Sequence, residues 1–326
     1  MQQVRLGILG AGRIAHRMMQ CAAFAPSMRI QAVAARDEAD ARSFAAQYGI
    51  PNAHGGYDAL YADPTVDLIY IATPHPFHEA QTLAALAAGK HVLCEKSMAM
   101  SPAQVQRMAA SAREKRLFLM EAMWTRFFPA SRKVCQLIAE DAIGQPLAAS
   151  VTFGFRTAFD PASRLFAKGL GGGAMLDLGV YVIAFASMIM GGGMPEAAGA
   201  ASIGASGVDE VDAISLRYPG GGIASLQCAT RAAMPDTARV FGSKGALEIP
   251  RFWSPDSLTL TNDAGQQTFA FPRQAEGFEY ELEHVAHCIA NGMTESPIMP
   301  LDESLCVSRT MDALLGQWGV SYDGVD

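Results

Sequence analysis

Short apolar runs alternate with amphipathic stretches through the first third of the chain. Residues 4–9 (VRLGIL), 28–36 (MRIQAVAAR), 66–73 (VDLIYIAT), 91–96 (HVLCEK) and 116–122 (RLFLMEA) read as strands, most of them apolar enough to be covered on both faces. Between them, GAGRIAHRMMQCAAF, DEADARSFAAQY, HEAQTLAALAAGK and a segment opening at Ser101-Pro102 read as helices. Asp37 sits at the start of the second helix as a cap, and Gly89 closes the third. Proline just inside the start suits the fourth. Strands and helices in strict alternation predict an α/β domain, a doubly wound parallel sheet of the Rossmann type, over residues 1–122.

From about residue 123 the period shortens to two. PLAASVTFGFRT is strand-like, while VDAISLRYPGGGIASLQCATRA, ARVFGSKGALEIP and SLTLTNDAGQQTFAFP each read as two strands around a turn. Helices are few: one within 171–193, one near 277–291 and one near 302–318. Residues 123–326 are expected to form an α+β domain with a large, mostly antiparallel open-faced sheet that binds substrate. In the hairpin at 212–230, alternation puts Ile214, Leu216, Tyr218, Leu226 and Cys228 on a face that helices cover. Ala213, Ser215, Arg217, Ile223, Ser225, Gln227 and Ala229 fall on the other. That second face is small and weakly charged. It is either a solvent side or the surface through which two copies form a homodimer.

The most apolar stretch is GGGAMLDLGVYVIAFASMIMGGG, residues 171–193. A bilayer span needs about 20 apolar residues. After Asp177 only thirteen remain before Gly191, and a carboxylate in lipid is costly. A buried helix is the expectation, with no membrane partner.

Composition narrows the field. The 326 residues suffice for two domains. Half are hydrophobic, 17% are charged and the net charge is −7, which argues against a nucleic-acid partner. Cys21, Cys94, Cys135, Cys228, Cys288 and Cys306 form no C-x-x-C pair, as in a reduced, cytoplasmic protein. The start, MQQVRLGILGAG, lacks the order of a signal peptide. His284 and His287 share a helix with Glu283 but lack a third ligand at usable spacing, so no metal is expected.

Gly10-Ala11-Gly12-Arg13-Ile14-Ala15 is a G-x-G-x-x-A turn that follows a strand and opens a helix. The first glycine makes the tight turn, the second admits a pyrophosphate, and Ala15 keeps the helix close to the sheet. The helix N-terminus offers N–H groups to the phosphates. At the end of the second strand an NAD site usually carries a carboxylate for the ribose 2′-OH. Here Arg36 stands there and can hold a 2′-phosphate by charge-assisted bonds, helped by Arg13. The expected cofactor is NADP(H). NAD is the alternative, since Asp37 is next in the chain. Thr73, His75 and His78 follow the third strand, and the histidines either line the cofactor site or serve the loop and helix start. Glu95 and Lys96 follow a buried strand's carboxyl end, where open α/β sheets bind ligands. Trp124, at the domain junction, either floors a ring-binding pocket or packs between domains.

GAGRIA, CEKS, MEAMWTRFFPA, GGGAMLDLGVY and the tail ESPIMPLDES…TMDALLGQWG resemble the glucose–fructose oxidoreductase/inositol dehydrogenase (Gfo/Idh/MocA) family nearly end to end. Within it they are most similar to the branch of dimeric dihydrodiol dehydrogenases and NADP-dependent D-xylose dehydrogenases. The resemblance implies Lys96 and Tyr181 as the central catalytic pair, with Asp177 and Trp124 beside them. It implies a sugar or diol as the small-molecule substrate. Ser97 departs from the family's E-K-P proline, and the Lys96–Ser97 bond is either trans or a cis bond held by the site. Asp177 and Tyr181, four apart, share one helix face. Tyrosine ordinarily titrates near ~10, and a neighbouring ammonium lowers that value. Tyr181 is then expected to exchange a proton with the substrate hydroxyl while hydride moves between the same carbon and the nicotinamide. Phe155, Arg156 and Arg164 are further expected pocket residues. Two other classes keep the same cofactor motif: an NAD-dependent glycosidase, and a sensor that binds dinucleotide without chemistry.

Overall fold

The computed structural model describes residues 3–322. Along the chain run β1 (Val4–Leu9), α1 (Arg13–Ala22), β2 (Met28–Ala35), α2 (Glu38–Tyr48), β3 (Asn52–Gly55), α3 (Tyr57–Tyr61), β4 (Leu68–Ile71), α4 (His78–Ala87), β5 (His91–Glu95), α5 (Pro102–Lys115) and β6 (Leu119–Ala122). Then come α6 (Pro129–Ala139), β7 (Pro146–Gly154), a π-helical turn (Met175–Gly179), α7 (Val180–Met190), β8 (Glu196–Ile203), β9 (Asp209–Arg217) and β10 (Ile223–Ala229). The chain continues through β11 (Thr237–Gly242), β12 (Gly245–Pro250), β13 (Ser257–Asn262), β14 (Gly265–Ala270), α8 (Phe278–Ala290) and α9 (Leu301–Gln317).

The first compact unit comprises the chain up to Ala99, Ala103–Trp124 and Arg273–Ser304. Its six strands lie in the order β3-β2-β1-β4-β5-β6, and every pairing is parallel. Strand order reverses direction between β1 and β4, and ligands bind such sheets at the carboxyl ends there. Leu6, Ile8, Leu68, Ile69, Val92 and Leu93 are fully buried, as strands covered on both faces require.

A single boundary at 122/123 does not describe this unit, because α8 returns to it. That helix packs on α1, β1 and β2 and buries Phe278, Leu282 and Val285. Ser27 fastens it: its N–H and hydroxyl each donate to Glu283 at 2.8 Å. The parallel sheet therefore takes one of its covering helices from residues expected in the second domain.

The second unit comprises Met100–Pro102, Thr125–Pro272 and the chain from Leu305. Its sheet has eight strands in the order β14-β13-β12-β11-β7-β10-β9-β8, antiparallel except for β7 against β10. The three anticipated hairpins are β9–β10, β11–β12 and β13–β14. α7 packs on β7 and β10, over Val151, Phe153, Leu226 and Cys228, all buried. The segment Lys168–Met190 has the length and apolarity of a bilayer span, but 83% of its most apolar window is buried in the protein.

On the outer face of this sheet, Ala213, Ser215, Arg217, Ile223, Ser225 and Gln227 are exposed as the alternation predicts. Ala229, the last residue of β10, is not: it is fully buried. Besides β3 and α3 in the first unit, two elements of this one escaped the pattern. β8 (EAAGAASI) is almost wholly alanine, glycine and serine with mostly exposed positions, so no apolar alternation marks it. α6 starts with Pro129 at its first turn and buries Ala130, Val134 and Leu137.

Candidate functional site

β1 hands over to α1 through Gly10-Ala11-Gly12. Gly10 lies at φ +102° and its N–H donates to Ala34 O at 2.9 Å. A Cβ there would stand 3.1 Å from the Thr73 methyl and 3.2 Å from Ala72 O, so the turn requires glycine. A Cβ on Gly12 would meet nothing closer than Ala72 O at 3.9 Å. The α1 N-terminus is thus open to an incoming group, with Ala15 buried beneath and Arg13 exposed. Ile14 is half-buried at the same helix start. This arrangement fits the pyrophosphate of a dinucleotide.

At the end of β2, Arg36 is exposed, and Tyr57 feels its charge: burial raises the Tyr57 phenol and Arg36 opposes the rise. Asp37 is the cap of α2, its Oδ1 accepting the Ala39 N–H at 2.7 Å. The carboxylate that would favour NAD is therefore bonded to the backbone.

Beyond β4, the Thr73 hydroxyl donates to Gln81 Oε1 at 2.5 Å. His78 is completely buried; its Nδ1 lies 2.9 Å from Ser97 O and its Nε2 2.8 Å from Thr73 O. Burial lowers its pKa, with these carbonyls opposing. Both ring nitrogens face the protein's own carbonyls, so His78 ties two loops together and is removed from the groups available to a cofactor. His75 is buried beside it, edge-on at 5.7 Å.

β5 ends at Glu95, and half-buried Lys96 follows it. Of the two alternatives open at Lys96–Ser97, the bond is cis. Burial pushes the Glu95 carboxyl up, opposed by the Tyr70 hydroxyl, which donates to it at 2.5 Å, and by the Lys96 charge. Tyr70 was missed, though its signal is visible: a phenol inside the buried strand LIYI must find a partner. Glu281 on α8 is fully buried, and burial, then the charge of Glu95, raises it well above the usual carboxylate range. Trp124 stacks on Phe278 with centroids 4.4 Å apart, and the Arg17 guanidinium lies 5.5 and 5.4 Å from the two ring centres.

In the second unit, Asp177 sits in the π-helical turn and Tyr181 in the first turn of α7, at 6% and 9% exposure. The turn is wider than the α-helix that the spacing implied. Arg164 pairs with Asp177 through both guanidinium nitrogens, at 3.1 and 3.4 Å. The Tyr181 ring is edge-on to Phe153 at 5.6 Å, and Phe153 stacks on Trp253 at 5.4 Å. Phe155 is half-buried and Arg156 exposed, bridged to the strand-like segment at Arg231. His284, on α8, bonds the Ser296 hydroxyl at 2.7 Å.

A wall of aromatic rings beside a buried phenol and carboxylate suits a polyhydroxylated or aromatic ring. Comparison with known proteins bears on what such a site does. Residues 4–123 match the GFO/IDH/MocA oxidoreductase family with an NAD-binding Rossmann fold, and residues 131–248 match the C-terminal domain of the same family. A trans-1,2-dihydrobenzene-1,2-diol dehydrogenase from Xenopus laevis is 40% identical over 329 residues, 97% of this chain and 98% of the relative. Among solved structures, KijD10, a 3-ketoreductase from Actinomadura kijaniata in complex with NADP and TDP-benzene, superposes with a TM-score of 0.86 at 26% identity. That match covers 97% of this chain and 98% of KijD10. The aldose–aldose oxidoreductase from Caulobacter crescentus, complexed with glycerol, gives a TM-score of 0.87 at 27% identity over 96% of each chain.

Proposed function

This chain belongs to the GFO/IDH/MocA oxidoreductase family, and from that premise we propose that it is an NADP(H)-dependent oxidoreductase of a sugar or trans-diol. Hydride moves between the nicotinamide and a ring secondary alcohol or its carbonyl. The substrate is an aldose such as D-xylose or a trans-dihydrodiol. The observation that carries this reading is the buried Tyr181 on α7, flanked by Asp177, in a chain 40% identical to a trans-diol dehydrogenase. KijD10 has been crystallised with one tyrosine replaced by phenylalanine and with one lysine replaced by alanine, which suits a reaction in which those residue types matter.

Bound NADP(H) supplies or accepts the hydride. Gly10, Gly12, Arg13 and Ile14 would hold its pyrophosphate at the α1 N-terminus, and Arg36 its 2′-phosphate. Tyr181 takes the proton from the substrate hydroxyl in oxidation and returns it in reduction. Lys96 supplies the positive charge that favours the tyrosinate form of such a phenol. Asp177, held by Arg164, accepts a second substrate hydroxyl. Trp124 and Phe278 form an apolar floor.

The outer sheet face, with Ile223 and Phe241 both exposed, supports a homodimer through this surface, checked by sedimentation equilibrium. The six cysteines form no disulfide, in keeping with a reducing, cytoplasmic setting. The enzymatic reading is tested by initial rates of NADP⁺ and NAD⁺ reduction over aldoses, inositols and trans-diols. Turnover of a ring alcohol with NADP⁺ is the expected result. No NADPH formation across the panel would overturn it.

A further inference from the structure

Asp209 and Asp212, both on β9, have no solvent exposure and belong to none of the steps above. Asp209 Oδ2 accepts the Met175 N–H at 2.5 Å, at the first residue of the turn that carries Asp177. Asp212 Oδ2 accepts from the Cys228 thiol at 3.1 Å. Cys228 in turn lies under the far end of that turn: a Cβ on Gly179 would be 3.4 Å from its Sγ. Thus one carboxyl holds the turn directly and the other supports the residue beneath it.

Each acid has one oxygen left over. Among the described residues, Asp209 Oδ1 and Asp212 Oδ1 are buried with no other partner. The two side chains are in hydrogen-bonding contact with each other. Two anions buried side by side repel, whereas one proton between them satisfies both leftover oxygens. The backbone packs closely around the pair. Gly173 lies at φ +125°, and a Cβ there would come within 2.4 Å of Asp209 Oδ1. Tyr322 donates to Gly172 O at 2.6 Å and closes the other side.

We propose that Asp209 and Asp212 are positioning residues for the reaction: they share one proton, and that proton keeps Asp209 in place as the acceptor that fixes the turn bearing Asp177 and, after it, Tyr181. This rests on the oxidoreductase reading for its kinetic consequence, but the structural link stands without it. Burial, then the charge of Asp209, pushes Asp212 up to about 9, so the shared proton is present at neutral pH. Among the described residues, the other titratable groups facing the pair are the Cys228 thiol, the Tyr322 phenol and, beyond Cys228, Asp177.

Two substitutions separate the shared proton from mere packing. Asp212→Asn keeps a donor toward Asp209 that cannot ionise, whereas Asp212→Ala removes it. Backbone hydrogen exchange over 174–181, read by mass spectrometry, needs no substrate. Asp212→Ala is expected to exchange faster there than wild type at neutral pH, and Asp212→Asn to match wild type. Above about pH 9 wild type should lose protection beyond the intrinsic rate increase while Asp212→Asn keeps it. With turnover established, Asp212→Ala lowers kcat about tenfold with KM for NADPH unchanged, as a misplaced acid–base group does. Asp212→Asn restores kcat and stays active at the alkaline end, where wild type declines. Unchanged exchange in Asp212→Ala overturns the proposal, as does faster exchange with wild-type kcat. If Asp212→Ala does not fold, the alkaline comparison of wild type with Asp212→Asn decides, and identical profiles overturn it. Absence of turnover in wild type overturns the oxidoreductase reading and leaves the exchange result to judge the pair.

Discussion

Arg164 holds Asp177 with two nitrogens, Nη1 to Oδ1 at 3.1 Å and Nη2 to Oδ2 at 3.4 Å. The carboxylate is buried and the guanidinium half-exposed. The pair fixes the orientation of an acid that has little access to water. Arg164→Ala strips the charge partner from a buried anion. Because the arginine is more than a third exposed, the loss is discounted to about 1–2 kcal/mol. Thermal melts should show a lower Tm, and KM for the alcohol should rise more than KM for NADPH.

Tyr181→Phe removes only the phenolic hydroxyl from a ring packed edge-on to Phe153. The fold should survive, NADPH should still bind by fluorescence, and kcat should fall at least about a hundredfold, as loss of a general acid–base group does. Lys96→Met should be nearly inactive. Wild-type turnover in either variant would remove that residue from the proton transfer.

The proposed 2′-phosphate contact of Arg36 and the helix cap of Asp37 can be tested separately. Arg36→Ala should raise KM for NADP⁺ by about tenfold or more and leave KM for NAD⁺ unchanged, since charge-assisted phosphate bonds are lost. Asp37→Ala should instead lower stability by about 0.5–2 kcal/mol through loss of the α2 cap. Steady-state kinetics with both cofactors, and denaturant titrations, distinguish the two effects.

The Asp209–Asp212 pair also sets a pH dependence of stability. Asp212 is pushed up to about 9 in the folded protein by burial and by Asp209. In the unfolded chain it titrates near ~3.9. Between those values the folded state keeps a proton that the unfolded state has released, so stability falls as pH rises from about 4 to about 9. Asp212→Asn should flatten that part of the Tm-versus-pH curve. An unaltered slope in the variant would mean that Asp212 does not carry the proton.

Much of the fold is legible because burial writes itself into periodicity. Leu68, Ile69 and Ile71 announce a doubly covered strand, and the Ile214–Leu216–Tyr218 alternation announces a half-covered one. Gly10 and Gly12 are legible because a tight turn against Ala72 excludes a side chain. Continuing the β9 alternation back by two residues puts Asp212 on the inner face, so its burial was present in the sequence. Its need for a proton was not, because that follows from Asp209 lying beside it. Arg164 could be named as a pocket residue, but its partner is set by how the loop after β7 folds back onto the π-helical turn. The destination of α8 was hidden for a related reason. Phe278, Leu282 and Val285 mark an apolar face that something must cover, without saying which sheet does.

That return has a consequence for synthesis. A ribosome that has completed β6 still has roughly 150 residues to translate before the helix that covers α1 emerges, about ten to thirty seconds at ordinary elongation rates. During that interval the Cys21 thiol, which later lies against the backbone of residues 276–278, has no lid. The nascent nucleotide-binding sheet is open to chaperones and oxidants until the chain is nearly finished. A fragment ending at residue 122 carries that exposed side permanently.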